Sequence, residues 1–396
     1  MNQGHNGSLL RKRDGGHARV SFAELFFDLV FVFAVTQLSH GLLAHPGVEG
    51  LAQTGMLFLA VWWTWIYTAW STNWLDPDRA PVRLLLFALM AAGLAMAIAI
   101  PHAFDSRGAL FAVAFAAMQV GRPLFVMLAM RGVDRANQRN FARIMVWGAL
   151  AAVLWLWGGF AEPGARPAIW GAALALELVS PAAGFFVPGL GASRSTDWTI
   201  EGAHVAERCG LFVIIALGES ILITGATFAE AEWRAAVLTG FASAFLATVA
   251  MWWIYFNIGA ERASEHIAHA ADPGRVARLA YTYLHLPIGA GIVLTAASDE
   301  LVLAHPTGHT DPFAAMCLVG GPALYLLGCL LFKRATWGRW PVSHVAGLAM
   351  LAGVGSAWQA LEPAALSAAT TGVLILVALW ETLSFRGSRR PPANAA

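Results

Sequence analysis

Windows of about twenty apolar residues recur along this chain with only short polar breaks between them, and a chain so patterned has few ways to fold. A helix needs roughly 20 apolar residues to cross a bilayer. Twelve such windows stand out, over residues 22–43, 51–71, 83–103, 109–130, 142–160, 168–188, 202–226, 235–257, 278–298, 312–332, 342–361 and 365–385. Of the 396 residues, 58% are hydrophobic and 12% are charged, about half the charge of an ordinary soluble domain. The expected class is an all-α polytopic membrane protein with about 12 transmembrane helices. Pro123, Pro181, Pro287 and Pro322 fall inside windows, which membrane helices tolerate when neighbours satisfy the freed backbone groups.

The loop charges orient the chain. With the N-terminus in the cytoplasm, twenty of the 25 Lys and Arg fall on cytoplasmic segments. Only Arg107, Arg166 and Arg234 fall outside, and Arg122 and Arg208 lie within spans. This asymmetry is the positive-inside pattern, with both termini inside. The first apolar run is longer than a signal-peptide core and is read as a retained helix. Cys209, Cys317 and Cys329 sit in apolar runs without metal-ligand spacing and read as small buried hydrophobes. A formal charge of +1 argues against nucleic acid as a partner; the partners expected are the lipid bilayer and a small ion or solute, and the oligomeric state stays open.

Short matches relate the two halves in order. Glu24-Leu25 pairs with Glu207-Arg208 at the head of two long apolar runs, Trp65-Ile66-Tyr67 with Trp253-Ile254-Tyr255, and Arg83-Leu84 with Arg278-Leu279. Further on, Val120-Gly121-Arg122-Pro123 pairs with Val319-Gly320-Gly321-Pro322, and Glu177 with Glu381. The offset grows steadily from 183 to 204, as lengthening loops would make it. Six spans per half insert both halves the same way round, predicting two parallel repeats about an axis along the membrane normal. The expected layout is a basic cytoplasmic tail over 1–20, a first repeat over 21–190, a cytoplasmic linker over 191–201, a second repeat over 202–386 and a disordered cytoplasmic tail over 387–396.

Ionisable groups inside spans are costly and by default mark function. The first span holds Glu24 and Asp28, one helical turn apart and on one face with Val35 and Ser39. The seventh aligns His204, Arg208, Phe212, Ile215 and Glu219, and also carries Glu207. Arg122 and Glu177 lie in the fourth and sixth. Depths along the helices predict a cluster of Asp28, Arg122, Glu207 and Arg208 open to the cytoplasm, with Glu24 at its mouth. Glu177 near the midplane and Glu219 farther out would extend it. The competing reading is that Arg122 and Arg208 only lock helices, that Glu24 favours the positive end of its own helix, and that His204 is an interfacial hydrogen-bonder. Glu381 reads as an end-of-helix surface acid.

The run "LAVWWTWIYTAW" over 59–70 reads as an interfacial aromatic belt with packing, matched by Trp252, Trp253 and Tyr255. Glu201-x-x-His204 has the spacing of a di-iron helix motif, but a second such motif is lacking. His266 and His269 lie on a loop without evident partners. No phosphate loop, nucleophile elbow or dinucleotide fingerprint occurs in a usable context. The expectation is no metal, no cofactor, no catalytic residues and no enzyme activity.

The blocks "ELFFDLVFVFAVTQLSH" from Glu24 and "HVAERCGLFVIIALGESIL" from His204 resemble the bacterial low temperature requirement A (LtrA) family, with similarity over about 20–385. The resemblance implies a polytopic inner-membrane protein linked to growth in the cold, and it implies no established substrate. Carried over, its signature covers Glu24, Phe27 and Asp28, then His204, Glu207, Arg208, Gly210, Gly218 and Glu219. Phe26-Phe27-Asp28 is also similar, more distantly, to the Phe-x-Asp motif of endolysosomal potassium channels. Cys209-Gly210-Leu211 departs from that motif at the equivalent place in the second half.

The function expected is a bacterial inner-membrane transporter or channel for a small solute or ion, with proton coupling as one mode. Asp28, Glu219, Arg122, Glu207, Arg208, Glu24, Glu177 and His204 are the candidate binding or coupling residues. The alternatives are a non-transporting membrane sensor or organising protein with a structural charge cluster, and an intramembrane enzyme acting on lipid.

Overall fold

A computed structural model describes residues 8–11, 19–194, 197–198, 200–257 and 272–388. Lys12 and Arg13 of the basic tail, Arg262, the loop histidines His266 and His269, part of the 191–201 linker and the tail beyond Ser388 lie outside the described residues. Within them the regular structure is helical, with two isolated β-bridges and no strand.

Each of the twelve apolar windows holds one helix. They are α1 (Phe22–Ala44), α2 (Val48–Thr72), α3 (Ala80–Ala99), α4 (Gly108–Ala129), α5 (Arg135–Phe160) and α6 (Arg166–Val179). Then follow α7 (Gly202–Glu230), α8 (Ala235–Phe256), α9 (His285–Ala304), α10 (Pro312–Trp337), α11 (Val342–Ser356) and α12 (Pro363–Ser388). A short helix and a π-helical stretch over Arg278–Tyr283 lead into α9. Nine spans among the described residues are long and apolar enough to cross a membrane. The helix starts follow local chemistry. Ser21 and Glu24 form a reciprocal capping box at α1. Asp134 and Asp311 accept from first-turn N–H groups of α5 and α10.

Several helix bounds depart from the windows. α6 stops at Val179 rather than running to 188: Pro181 disfavours helix at the residue before it. Gly184 then turns left-handed with φ of 59°, and a side chain there would meet the Ser193 carbonyl at 2.7 Å. α11 ends at Ser356 and passes into a 3-10 turn at Trp358–Ala360. α12 runs through Ser388, past the expected start of the disordered tail at 387.

Contacts divide the chain into two compact units. The first is residues 1–208 with 270–277, and the second is 209–269 with 278–396. Helix α7 is therefore shared: Gly202–Arg208 groups with the first unit and its remainder with the second. In the first unit α4 packs along α5, and α3 lies against α1 and α4. In the second α9 packs along α10, and α8 along α12. The α9–α10 backbones approach closely because glycines face them. A Cβ on Gly291 would lie 2.4 Å from Tyr325 N, and one on Gly321 would lie 2.8 Å from Thr295 N. Small residues at such contacts are how membrane helices gain packing contacts without a hydrophobic drive.

The faces of α1 invert the soluble pattern. Phe22, Leu25, Phe26, Leu29 and Phe33 are exposed, with Phe22 at 90%, whereas Glu24 and Asp28 lie on the buried face with Phe27, Phe31, Val35 and Ser39. An apolar exterior over a buried acidic face suits lipid as the solvent.

Five expectations from the sequence need correcting. Trp62, Trp63 and Trp65 are buried, so the packing half of that expectation holds for them and the belt does not, because α2 from Leu57 onward is largely covered by neighbours; Trp252 and Trp253 remain exposed at 43% and 40%. Glu381 is no surface acid, and Lys333 no loop charge: both are buried and paired with each other. Arg143 likewise lies buried within α5, donating to Asn140 and to the Leu190 carbonyl. Arg166 is buried at the start of α6, where all its N–H groups reach carbonyls of Gly158, Gly159, Ala161, Ala103 and Asp105 at 2.7–3.3 Å. Loop assignment by hydropathy alone misses these cations, since an arginine fork can satisfy free carbonyls at helix ends.

Candidate functional site

Asp28 sits nearly two turns into α1 and points away from the exposed apolar stripe. Its Oδ1 accepts from Arg208 Nη2 at 2.8 Å and from the indole N–H of Trp65 at 2.8 Å. The Arg208 guanidinium also lies over the Trp65 ring, 5.5 Å from its centroid. All three residues are buried. Three polar atoms of the pair, Asp28 Oδ2 and Arg208 Nε and Nη1, are buried with no hydrogen-bond partner among the described residues. A buried charge pair left with open hydrogen-bonding capacity is unusual, because each such group keeps its desolvation cost.

One turn earlier, Glu24 collects a second cluster. Its Oε1 contacts His204 Nε2 at 2.8 Å. Its Oε2 accepts from Ser21 N, Ser21 Oγ and Arg11 Nη2 at 2.8–3.0 Å. Asn73 Nδ2 donates toward His204 Nδ1 at 3.4 Å and to the Glu201 carbonyl at 2.9 Å, and its Oδ1 accepts from Glu201 N. A ring whose Nδ1 accepts and whose Nε2 donates to the carboxylate satisfies this set. The Arg11 Nε also reaches the Thr72 and Leu75 carbonyls. Together with backbone bonds from Arg11 N to Trp74 O and from Asp76 N to Leu9 O, this straps the segment before α1 across the end of α2.

Arg122 belongs elsewhere. It donates to Gln119 Oε1 at 2.5 Å, to Thr64 O at 3.0 Å and to Thr68 Oγ1 at 3.2 Å. Its guanidinium lies over the Tyr67 ring. Gln119 Nε2 passes the interaction on to Glu177 Oε2 at 2.6 Å. Among the described residues the other Glu177 oxygen and the Trp155 indole N–H are both buried without a hydrogen bond of normal geometry, although the two groups interact. Trp63, Tyr67, Trp147, Ser180 and Phe185 complete a narrow cleft beside this group, with room for roughly one water molecule.

The single expected cluster is thus two. Arg208 alone is ion-paired to Asp28, whereas Arg122 pairs through Gln119 with Glu177; adjacent residues of α2, Thr64 and Trp65, serve the two groups separately. Glu207 is half-buried and accepts from Val20 N at 3.4 Å. Glu219 is buried on the stretch of α7 that belongs to the second unit. Sequence reasoning missed Arg11, Trp65, Asn73 and Gln119. Gln119 carried a usable signal, since Gln119-x-x-Arg122 places two polar groups on one helical face.

A profile described as bacterial low temperature requirement A protein (LtrA) matches residues 19–379. The chain belongs to the LtrA family. A protein of Rhizobium meliloti (strain 1021), described as uncharacterized, is 42% identical over 386 residues, covering 97% of this chain and 94% of its own length. No solved structure matches. The LtrA match spans every helix from α1 through most of α12, so the buried acids and arginines of both groups fall within the family's extent.

Proposed function

We propose that this LtrA-family protein is an inner-membrane transporter or channel for a small ion or solute, acting without a catalytic step. The observation that supports this best is the Asp28–Arg208 pair. It is buried under an apolar, exposed α1 stripe, and Asp28 Oδ2 with Arg208 Nε and Nη1 carries unused hydrogen-bonding capacity. A carboxylate and a guanidinium with open positions suit a ligand that bears charge or hydrogen-bonding groups of its own. The Arg122–Gln119–Glu177 group gives a second polar station. Glu24, His204 and Glu207 lie toward the start of their helices, and Glu219 lies farther along α7.

In the same reading the chain forms two parallel six-helix repeats with both termini cytoplasmic. The loop charges and ordered matches support it. So does a local likeness within each unit: the matched acids Glu177 and Glu381, on α6 and α12, are both buried and each is held by a side chain of that unit's fourth helix, Gln119 or Lys333.

A structural reading has its own support, since Trp65 both bonds Asp28 and stacks on Arg208, as a helix lock would. Flux in proteoliposomes separates the two. Potassium, sodium and proton gradients are imposed in turn on native protein and on Asp28→Asn. Flux that is lost in the variant while its thermal melt holds supports transport. A lowered melt with no flux in either protein overturns it in favour of the lock.

A further inference from the structure

Asp299 lies in the second unit, on α9, and is 3% exposed. Among the described residues it has no ion pair. Its Oδ2 lies 3.4 Å from Ser220 Oγ of α7. That hydroxyl lies 3.2 Å from Thr248 Oγ1 of α8, and Thr248 Oγ1 lies 3.1 Å from the Ala244 carbonyl. Four oxygens from three helices therefore form one buried chain.

Counting hydrogens decides its state. Each hydroxyl has one proton to give, and the Ala244 carbonyl can only accept. If Thr248 donates to Ala244, Thr248 can only accept from Ser220, and Ser220 can then only accept from Asp299. The chain is complete in that direction only when Asp299 carries a proton on Oδ2. When Asp299 is ionised, both hydroxyls must reverse: Ser220 donates to Asp299 and Thr248 donates to Ser220. The Ala244 carbonyl then keeps only its helical backbone bond.

Among the described residues the surroundings offer no counter-charge. On α7 the neighbouring titratable group is Glu219, and on α9 itself it is Glu300, both acids. On α8 it is Tyr255, about two turns along the helix from Thr248. α10 runs antiparallel to α9 with Gly321 against Thr295, so the Cys317 thiol lies level with Asp299. On α12 the hydroxyls of Ser367, Thr370 and Thr371 precede Glu381, which is held by Lys333. A buried carboxylate without a cation keeps the desolvation cost of its charge uncompensated.

We propose that Asp299, Ser220 and Thr248 form a reversible proton-binding site in the second unit, whose two hydroxyls turn over together as the proton leaves for water or returns. The site is separate from the Asp28 pair and stands whether or not that pair moves a solute.

The test is infrared spectroscopy of the full-length protein in lipid, stepped reversibly from neutral to alkaline pH. The expected result is a carboxylic-acid C=O band, present at neutral pH, that disappears on alkalinisation and is missing from Asp299→Asn. In Ser220→Ala the midpoint moves to higher pH, because the hydroxyl that would stabilise the ionised oxygen is gone. Should Asp299→Asn fail to fold, the Ser220→Ala shift decides alone, and an unmoved midpoint overturns the site. The proposal also falls if native protein has no Asp299 band at neutral pH, or if that band never titrates. A midpoint that drops when sodium replaces potassium would mean that the carboxylate holds a metal cation instead.

Discussion

Lys333 of α10 donates to both carboxylate oxygens of Glu381 on α12, at 2.7 and 2.8 Å, and also to the Ile254 carbonyl at 3.0 Å. His344 Nδ1 stands 3.7 Å from the same carboxylate. The pair thus ties α8, α10, α11 and α12 within the second unit. Removing one partner of such a pair costs about 3–5 kcal/mol, whereas an apolar replacement of both is often nearly neutral. Lys333→Met should therefore lower the thermal midpoint in detergent sharply, and adding Glu381→Leu should restore most of the loss. A double variant no better than the single one would show that Lys333 acts through its carbonyl contact instead.

The two partners at Asp28 should respond unequally. Asn at position 28 keeps an oxygen for Trp65 and Arg208 and leaves the cation over the Trp65 ring. Arg208→Met strands a buried carboxylate with only the indole N–H for company. Thermal melts should show a loss of about 3–5 kcal/mol for Arg208→Met and a clearly smaller one for Asp28→Asn. Equal losses would mean that the carboxylate charge itself holds the helices.

Arg166 is a capping device made of one side chain. It satisfies five carbonyls from the end of α5 and from the turn after α3. Lysine keeps the charge and loses the planar fork. Arg166→Lys is expected to destabilise by about 2 kcal/mol or more, at roughly 1 kcal/mol for each hydrogen bond lost. An unchanged midpoint would argue that water replaces the fork at no cost.

Gly291 faces the α10 backbone. Gly291→Val pushes a branched side chain against Tyr325 N and the Gly321 carbonyl, and overpacking of this kind costs about 1–3 kcal/mol or more. Gly291→Ala should do the same in smaller measure. Melts that fail to rank Gly above Ala above Val would rule out close backbone contact here.

Arg11 holds the segment before α1 through the Thr72 and Leu75 carbonyls and Glu24. With Arg11→Ala, hydrogen exchange should quicken at the Arg11 and Asp76 amides, which bond to Trp74 and Leu9, while global stability changes little. Protection that survives the substitution would show that Leu9 and Leu10, packed beside Trp74 and Leu75, are sufficient.

Much of this protein could be read before any coordinates. Hydropathy located twelve helices, because a bilayer-crossing segment must satisfy its own backbone and does so over a fixed length. Helical periodicity put Glu24 and Asp28 on the buried face of α1, and His204 and Arg208 on one face of α7. It could not choose partners. Depth arguments placed Arg122 beside Asp28, but Gln119, one turn away on the same helix, and Glu177 on α6 claim it instead. Lys333 and Arg166 were assigned to loops because hydropathy windows end at a charge; burial there depends on a carboxylate or a set of carbonyls brought from distant stretches of chain. Asp299 was cut off by a window ending at 298, one residue before it, and its meaning rests on Ser220 and Thr248 from two other helices. Length and periodicity are local properties that a sequence states outright. Which charge meets which carboxylate, and which hydroxyl lies within reach of a buried acid, is decided only when helices pack, since a difference of an ångström or two between neighbours makes or loses the bond.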